Sequence, residues 1–149
     1  MALIKKIFFL SFSCYIIIFS VDSDLASMIL PQELMAILND ANDKKSCLIL
    51  NVLSPKIFSD CYIPRSINIP VHCLLKPAHR LYKKVQAWPR DRKIVVYCAG
   101  GDCPLSYHAY EYLKKLNFQD VKILEGGIRS WKKDGLPTIG SCRAGYLCE

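Results

Sequence analysis

Histidine is scarce in this chain, with only three among 149 residues, at His72, His79 and His108. None stands at a spacing from paired cysteines that would build a zinc site, so no metal is expected, and no other cofactor signature is present. No Cys-x-x-Cys pair occurs, which sets aside the usual signature of thiol–disulfide oxidoreductases. Internal repeats are lacking as well, so a solenoid is excluded. Acidic residues are few, 13 against 20 Lys and Arg, and all lie beyond position 20. The net charge is +7, of which residues 21 to 149 carry +5 once Lys5 and Lys6 are set aside. The basic residues are scattered, as in Lys83-Lys84, Arg92-Lys93, Lys114-Lys115 and Lys132-Lys133, with no stripe interleaved by aromatics. A nucleic-acid partner is therefore not expected, and the pattern reads as a solvated surface whose summed field attracts small anions.

Long apolar runs are also missing. The longest, Ile7 to Val21, has 15 residues, short of the roughly 20 that cross a bilayer. Behind Lys5 and Lys6, and followed by Ser20, Ser23 and Ala26, it suits the core of a secretory signal. Residues 1–23 are expected to be a signal peptide that exports the chain to the periplasm or outside the cell. The alternative is an uncleaved segment that anchors the protein in the membrane.

Cysteine, by contrast, is plentiful: Cys14, Cys47, Cys61, Cys73, Cys98, Cys103, Cys142 and Cys148. Removal of the signal leaves seven, and an odd number in an exported chain leaves at least one thiol unpaired. Three disulfides and a free Cys98 satisfy that count. The pairing stays open: Cys103 with Cys61, Cys103 with Cys73, and Cys103 with Cys98 across one loop all fit, as does a Cys103 that merely packs. The tail from Ser141, with Cys142 and Cys148, is a candidate for pinning by a disulfide.

Cys98 has the most informative neighbours. Ile94 to Tyr97 is a short apolar run of high strand propensity, as in a strand buried on both faces. Gly100 and Gly101 follow it and allow positive φ and close backbone approach. Pro104 then suits the first position of a helix. Leu105, Ala109, Leu113 and Leu116 recur at helical spacing, and Asn117 can end that helix in the left-handed conformation. A cysteine between such a strand and such a helix faces loop N–H groups and the positive end of a helix dipole, both of which favour an anionic sulfur. The alternative is a buried structural cysteine at a strand end.

Elsewhere, Pro31 to Leu38 reads as an amphipathic helix, and Cys47 to Val52 as a second buried strand. Ser54 caps a short helix through Phe58, and Ile67 to Pro70 is a brief strand. Pro77 to Trp88 reads as a helix with Leu81 and Val85 inward. Val121 to Leu124 is a further strand, and Gly126-Gly127 leads into a helix from Ile128 to Lys133 that Gly135 and Pro137 close. Alternating strands and helices argue for an α/β domain around a mostly parallel central sheet.

Over residues 29–138 the chain resembles the rhodanese-like domain. The resemblance rests on Leu48 to Val52, Ile63 to Pro70, Ile94 to Cys98, and above all Val121 to Trp131 followed by Gly135-Leu136-Pro137. It implies a three-layer domain, a central sheet flanked by helices, and leaves residues 139–149 as a cysteine-containing tail. It implies Cys98 as the sulfur-carrying nucleophile and Ala99, Gly100, Gly101, Asp102 and Cys103 as the loop around the sulfur. The chain departs from the family pattern at Asn51 and Leu53, where Asp and Arg are frequent, and at Cys61-Tyr62, where Gly-His is frequent. The sixth loop position, often basic in active sulfurtransferases, is Cys103. A cation that would grip a dianion such as thiosulfate is thus missing, and no arginine lies between Cys98 and Arg129 to serve a phosphatase.

The function this implies is sulfur transfer: the Cys98 thiolate takes a sulfane sulfur as a persulfide and passes it to a thiol or to cyanide. The partners are then small sulfur-containing anions or thiols. Two other classes fit the residues, an exported thiol–disulfide redox protein using Cys98 and Cys103 and a catalytically silent binding module.

Overall fold

Two four-residue runs, Leu48–Asn51 and Ile94–Tyr97, are buried at every position, as parallel strands covered on both faces require. In the computed structural model, which describes residues 27–40, 47–75 and 80–143, they are β2 and β4 of a sheet of five strands. The others are β1 (Met28–Ile29), β3 (Ile67–Asn68) and β5 (Val121–Leu124), in the order β1-β5-β4-β2-β3. Every ladder is parallel, with Leu48 opposite Ile94 and Ile94 opposite Val121. The helices are α1 (Pro31–Asn39), α2 (Pro55–Asp60), α3 (Val71–Leu74), α4 (Arg80–Gln86), α5 (Leu105–Lys115) and α6 (Gly127–Lys133).

Because side chains alternate along a strand, β2 and β4 feed two separate cores. Leu48, Leu50, Ile94 and Val96 pack with Val85 of α4 and with Ala109 and Leu113 of α5. Ile49, Val95 and Tyr97 pack on the other face with Leu34 and Leu38 of α1 and with Ile128 and Trp131 of α6. The result is the three-layer α/β arrangement that the sequence leads one to expect, with a sheet that is parallel throughout its named strands.

Local signals account for most element boundaries. Ser54 Oγ accepts from the Ile57 N–H, and Glu33 reaches back to the Leu30 N–H. Asn117 ends α5 at a φ of 64°. Pro104 sits one residue before α5, in helical conformation, and its carbonyl accepts from the His108 N–H. Two elements were not expected. β1 is two residues long and exists through its pairing with β5. α3 turns directly after Pro70, where a strand end was expected. Of the helix expected from Pro77 to Trp88, Arg80–Gln86 is helical and Val85 is fully buried; Pro77, His79 and the side chain of Leu81 lie outside the described residues.

The disulfide expectation needs correction. Cys61 is bonded to Cys142, so Cys103 does not pair with Cys61. Cys73, Cys98 and Cys103 are thiols, which leaves too few cysteines for three disulfides. The physical reason is the path of the tail. Ile139 bridges to Tyr62, and the Cys142 N–H donates to the Asp60 carbonyl, which lays Cys142 against the end of α2. The expected pinning of the tail thus falls to Cys142, while Cys148 is outside the described residues. So are Cys14 and the whole proposed signal segment, residues 1–23. Among the described residues no helix is long and apolar enough to cross a membrane.

Candidate functional site

The connections after β4 and β5 leave to opposite faces of the sheet: α5 packs in one core and α6 in the other. Adjacent strands that diverge in this way open a crevice at their carboxyl ends. Cys98 follows β4 directly, so it stands at that crevice, and it is almost fully buried. A cavity of about 440 Å³ opens there, lined by Cys98, Gly101, Cys103, Ser106, Tyr107 and Glu125 among others.

The loop from Ala99 to Cys103 turns on two glycines, Gly100 at φ 97° and Gly101 at φ 60°, and the Cys103 N–H closes it onto the Gly100 carbonyl at 3.4 Å. α6 holds the loop from below. The Ile128 N–H donates to the Cys98 carbonyl and the Arg129 N–H to the Ala99 carbonyl, each at 3.1 Å. Backbone approaches so closely there that a Cβ on Gly100 would lie 1.8 Å from the Gly126 carbonyl oxygen, and one on Gly127 would lie 2.6 Å from the Cys98 carbonyl oxygen.

Two hydrogen-bonding groups lie 3.3 Å from the Cys98 sulfur. The thiol donates to the Cys103 carbonyl at 3.3 Å, and the Ser106 hydroxyl lies 3.3 Å away. Cys98 continues the alternation of β4 into the core beneath α5, so its side chain meets the first turn of that helix. The Leu105 and Ala99 amides contact the Cys103 sulfur. Burial pushes the Cys103 thiol up from its ordinary value, the Cys98 side chain adds to the rise, and those amides oppose it. Asp102 is exposed, Gly101 likewise, and Ala99 and Cys103 are half-buried. Cys98, Gly100, Gly101, Asp102 and Cys103 therefore line one cavity, and Ala99 belongs to the same tight loop without lining it.

Two contributors escaped the sequence reading. Ser106 is buried and shares a helix face with Ala109 and Leu113; a polar residue on an apolar stripe was the available signal. Gly126-Gly127 was read only as the opening of a helix, and its contact with the Cys98 loop is a tertiary fact with no local trace. His72 and His108 are exposed.

Comparison with known proteins agrees with this architecture. The family profile described as Rhodanese-like domain matches residues 30–134. A sulfurtransferase of Allochromatium vinosum is 30% identical over 97 residues, covering 65% of this chain and 82% of the relative. A mitochondrial thiosulfate sulfurtransferase of Saccharomyces cerevisiae is 29% identical over 101 residues, covering 63% of this chain and 64% of that one. Among solved structures, a Bacillus halodurans protein superposes with a TM-score of 0.70 at 21% identity, covering 87% and 86% of the two chains. A rhodanese-related protein of Thermoplasma volcanium gives 0.56 at 32% identity, covering 75% of this chain and 96% of that one. With a profile match over residues 30–134, which take in β2 to β5 and the loop after Cys98, this chain belongs to the rhodanese-like domain family.

Proposed function

We propose that this protein is a sulfurtransferase that carries sulfane sulfur on Cys98. The observation that supports the reading most is a thiol outside any disulfide at the end of the central strand, facing a cavity, with a buried hydroxyl 3.3 Å from its sulfur. Relatives named as sulfurtransferases point the same way. In the first step the Cys98 thiolate attacks the outer sulfur of a donor, forming Cys98–S–S⁻ and releasing the remainder, sulfite if the donor is thiosulfate. In the second, cyanide or a thiolate attacks that outer sulfur and Cys98 leaves as the thiolate. The outer sulfur projects one bond beyond Sγ, toward the cavity and the N-terminal turn of α5, where helix amides favour negative charge.

The sixth loop position is Cys103 and not a cation, which favours a donor of low charge, such as a persulfide, over the thiosulfate dianion. Export of the chain is part of this reading. The apolar segment behind Lys5 and Lys6 and the Cys61–Cys142 bond both suit an oxidising compartment; export cleaves residues 1–23 or leaves them as an anchor.

Intact-mass measurement after incubation with a persulfide donor or thiosulfate tests the function. The expected result is a gain of one sulfur atom that cyanide removes, with more product from the persulfide. Cys98→Ser is expected to abolish both gain and transfer with the fold intact by circular dichroism. Transfer that persists in that variant sinks the proposal, and no gain with either donor leaves the chain a binding module.

A further inference from the structure

The crevice holds a second thiol. Cys103 is outside any disulfide and lines the same cavity as Cys98. Cys73, in α3, does not line it. The loop that separates the two residues doubles back on Gly100 and Gly101, and it brings the backbone carbonyl of Cys103 within 3.3 Å of the Cys98 sulfur. The two side chains are near enough that Cys98 helps to raise the Cys103 thiol, after burial. A loop of four intervening residues, two of them glycines at positive φ, thus brings both thiols to one cavity, where a persulfide would form.

Resting on the sulfur-transfer reading above, we propose that Cys103 is a resolving residue that turns the Cys98 persulfide into a Cys98–Cys103 disulfide and hydrosulfide. This makes the site a thiol-driven reductase of sulfane sulfur as well as a transferase. The Cys103 sulfur attacks Sγ of Cys98, and the bond between Sγ and the outer sulfur breaks. The electron pair of that bond leaves with the outer sulfur, which takes the Cys103 thiol proton and departs as HS⁻. The outer sulfur is reduced from the sulfane to the sulfide state, and the two cysteine sulfurs are oxidised to the disulfide. An external dithiol, or two molecules of a monothiol, then reduces that disulfide and is itself oxidised. Burial and the neighbouring Cys98 keep Cys103 protonated, so it holds the proton that the departing sulfide needs.

The full chain, reduced and then freed of reductant, is incubated with glutathione persulfide. Hydrosulfide, intact mass and the non-reducing peptide map are followed together. The expected result is one hydrosulfide released per chain, no retained sulfur, and a peptide in which Cys98 is joined to Cys103. The Cys103→Ser chain is expected to accumulate the extra sulfur and to lose hydrosulfide release until a thiol is added. Wild-type protein that keeps the extra sulfur and hands it to cyanide without forming the cross-link overturns this inference and leaves the transferase reading standing. Equal hydrosulfide release by Cys103→Ser without added thiol also overturns it. Failure of both proteins to take up sulfur brings down the two readings together.

Discussion

Single atoms decide how much change the site tolerates. Gly100 has no room for a methyl group, since its Cβ would overlap the Gly126 carbonyl, and its φ of 97° is one that L side chains rarely adopt. Gly100→Ala is expected to destabilise the fold by about 1–3 kcal/mol and to lower sulfur transfer, because the loop can only relax by moving away from α6. Chemical denaturation alongside a cyanide assay checks both. Tyr97 is the other exacting residue. Its buried hydroxyl accepts from the Ile63 N–H at 3.2 Å and donates to Ser66 Oγ at 3.0 Å. Burial raises the phenol above its ordinary value of 10.0, outweighing the hydrogen bonds that lower it. An acid raised in the folded state contributes stability that is complete below its unfolded pKa and is lost as pH rises through the folded one. Stability is therefore expected to fall above pH 10.0, the unfolded value. Tyr97→Phe is expected to lack that part of the decline while losing about 1–3 kcal/mol at neutral pH for the stranded Ile63 N–H. Denaturation midpoints of the two proteins across alkaline pH measure the difference.

At the scale of elements, α5 joins the fold to the chemistry. Its apolar face, Ala109 and Leu113, is fully buried against the sheet, and this fixes the height at which its first turn meets β4. Ser106, on the same face, is thereby brought to the Cys98 sulfur. Ser106→Ala removes one hydrogen bond to a sulfur that becomes charged. Such a bond is worth about 1.5–3 kcal/mol, so sulfur uptake is expected to slow about tenfold or more, at about 1.36 kcal/mol per tenfold. Stopped-flow sulfur uptake read by mass measures it; a rate equal to wild type would show that the hydroxyl only packs. Most of this element was legible in the residues: the Leu105, Ala109, Leu113 and Leu116 spacing, Pro104 ahead and Asn117 behind all mark a helix and its ends. The partner of Ser106 was not, because hydrogen bonding to residue 98 depends on how the helix docks and not on helical periodicity.

For the molecule as a whole, the Cys61–Cys142 bond spans a sequence separation of 81 residues and ties the end of the domain back to α2. Closing a loop of that size restricts the unfolded chain far more than the folded one, for about 2–4 kcal/mol in the loop-entropy picture. Cys142→Ala is expected to lower the thermal midpoint while leaving the Cys98 loop in place, since Cys142 packs in the core on the α1 and α6 side of the sheet. Thermal unfolding with a parallel sulfur-transfer assay checks this, and an unchanged midpoint would show that the bond restrains little. The sequence indicated that a cysteine of the tail could be tied down, and the fold chose Cys61 by bringing Ile139 beside Tyr62.

Local chemistry therefore determined four of the five strands, most helices, the position of Cys98 at the end of β4 and the glycine turn beside it. These follow from propensity, periodicity and allowed backbone angles within a few residues. Tertiary structure decided which face each strand residue serves, that Gly126-Gly127 forms the floor under the loop, that Ser106 and the Cys103 carbonyl flank the sulfur, and that Cys61 meets Cys142. Each of these is a contact between segments, set by how the helices pack on a sheet whose neighbouring strands diverge at the crevice.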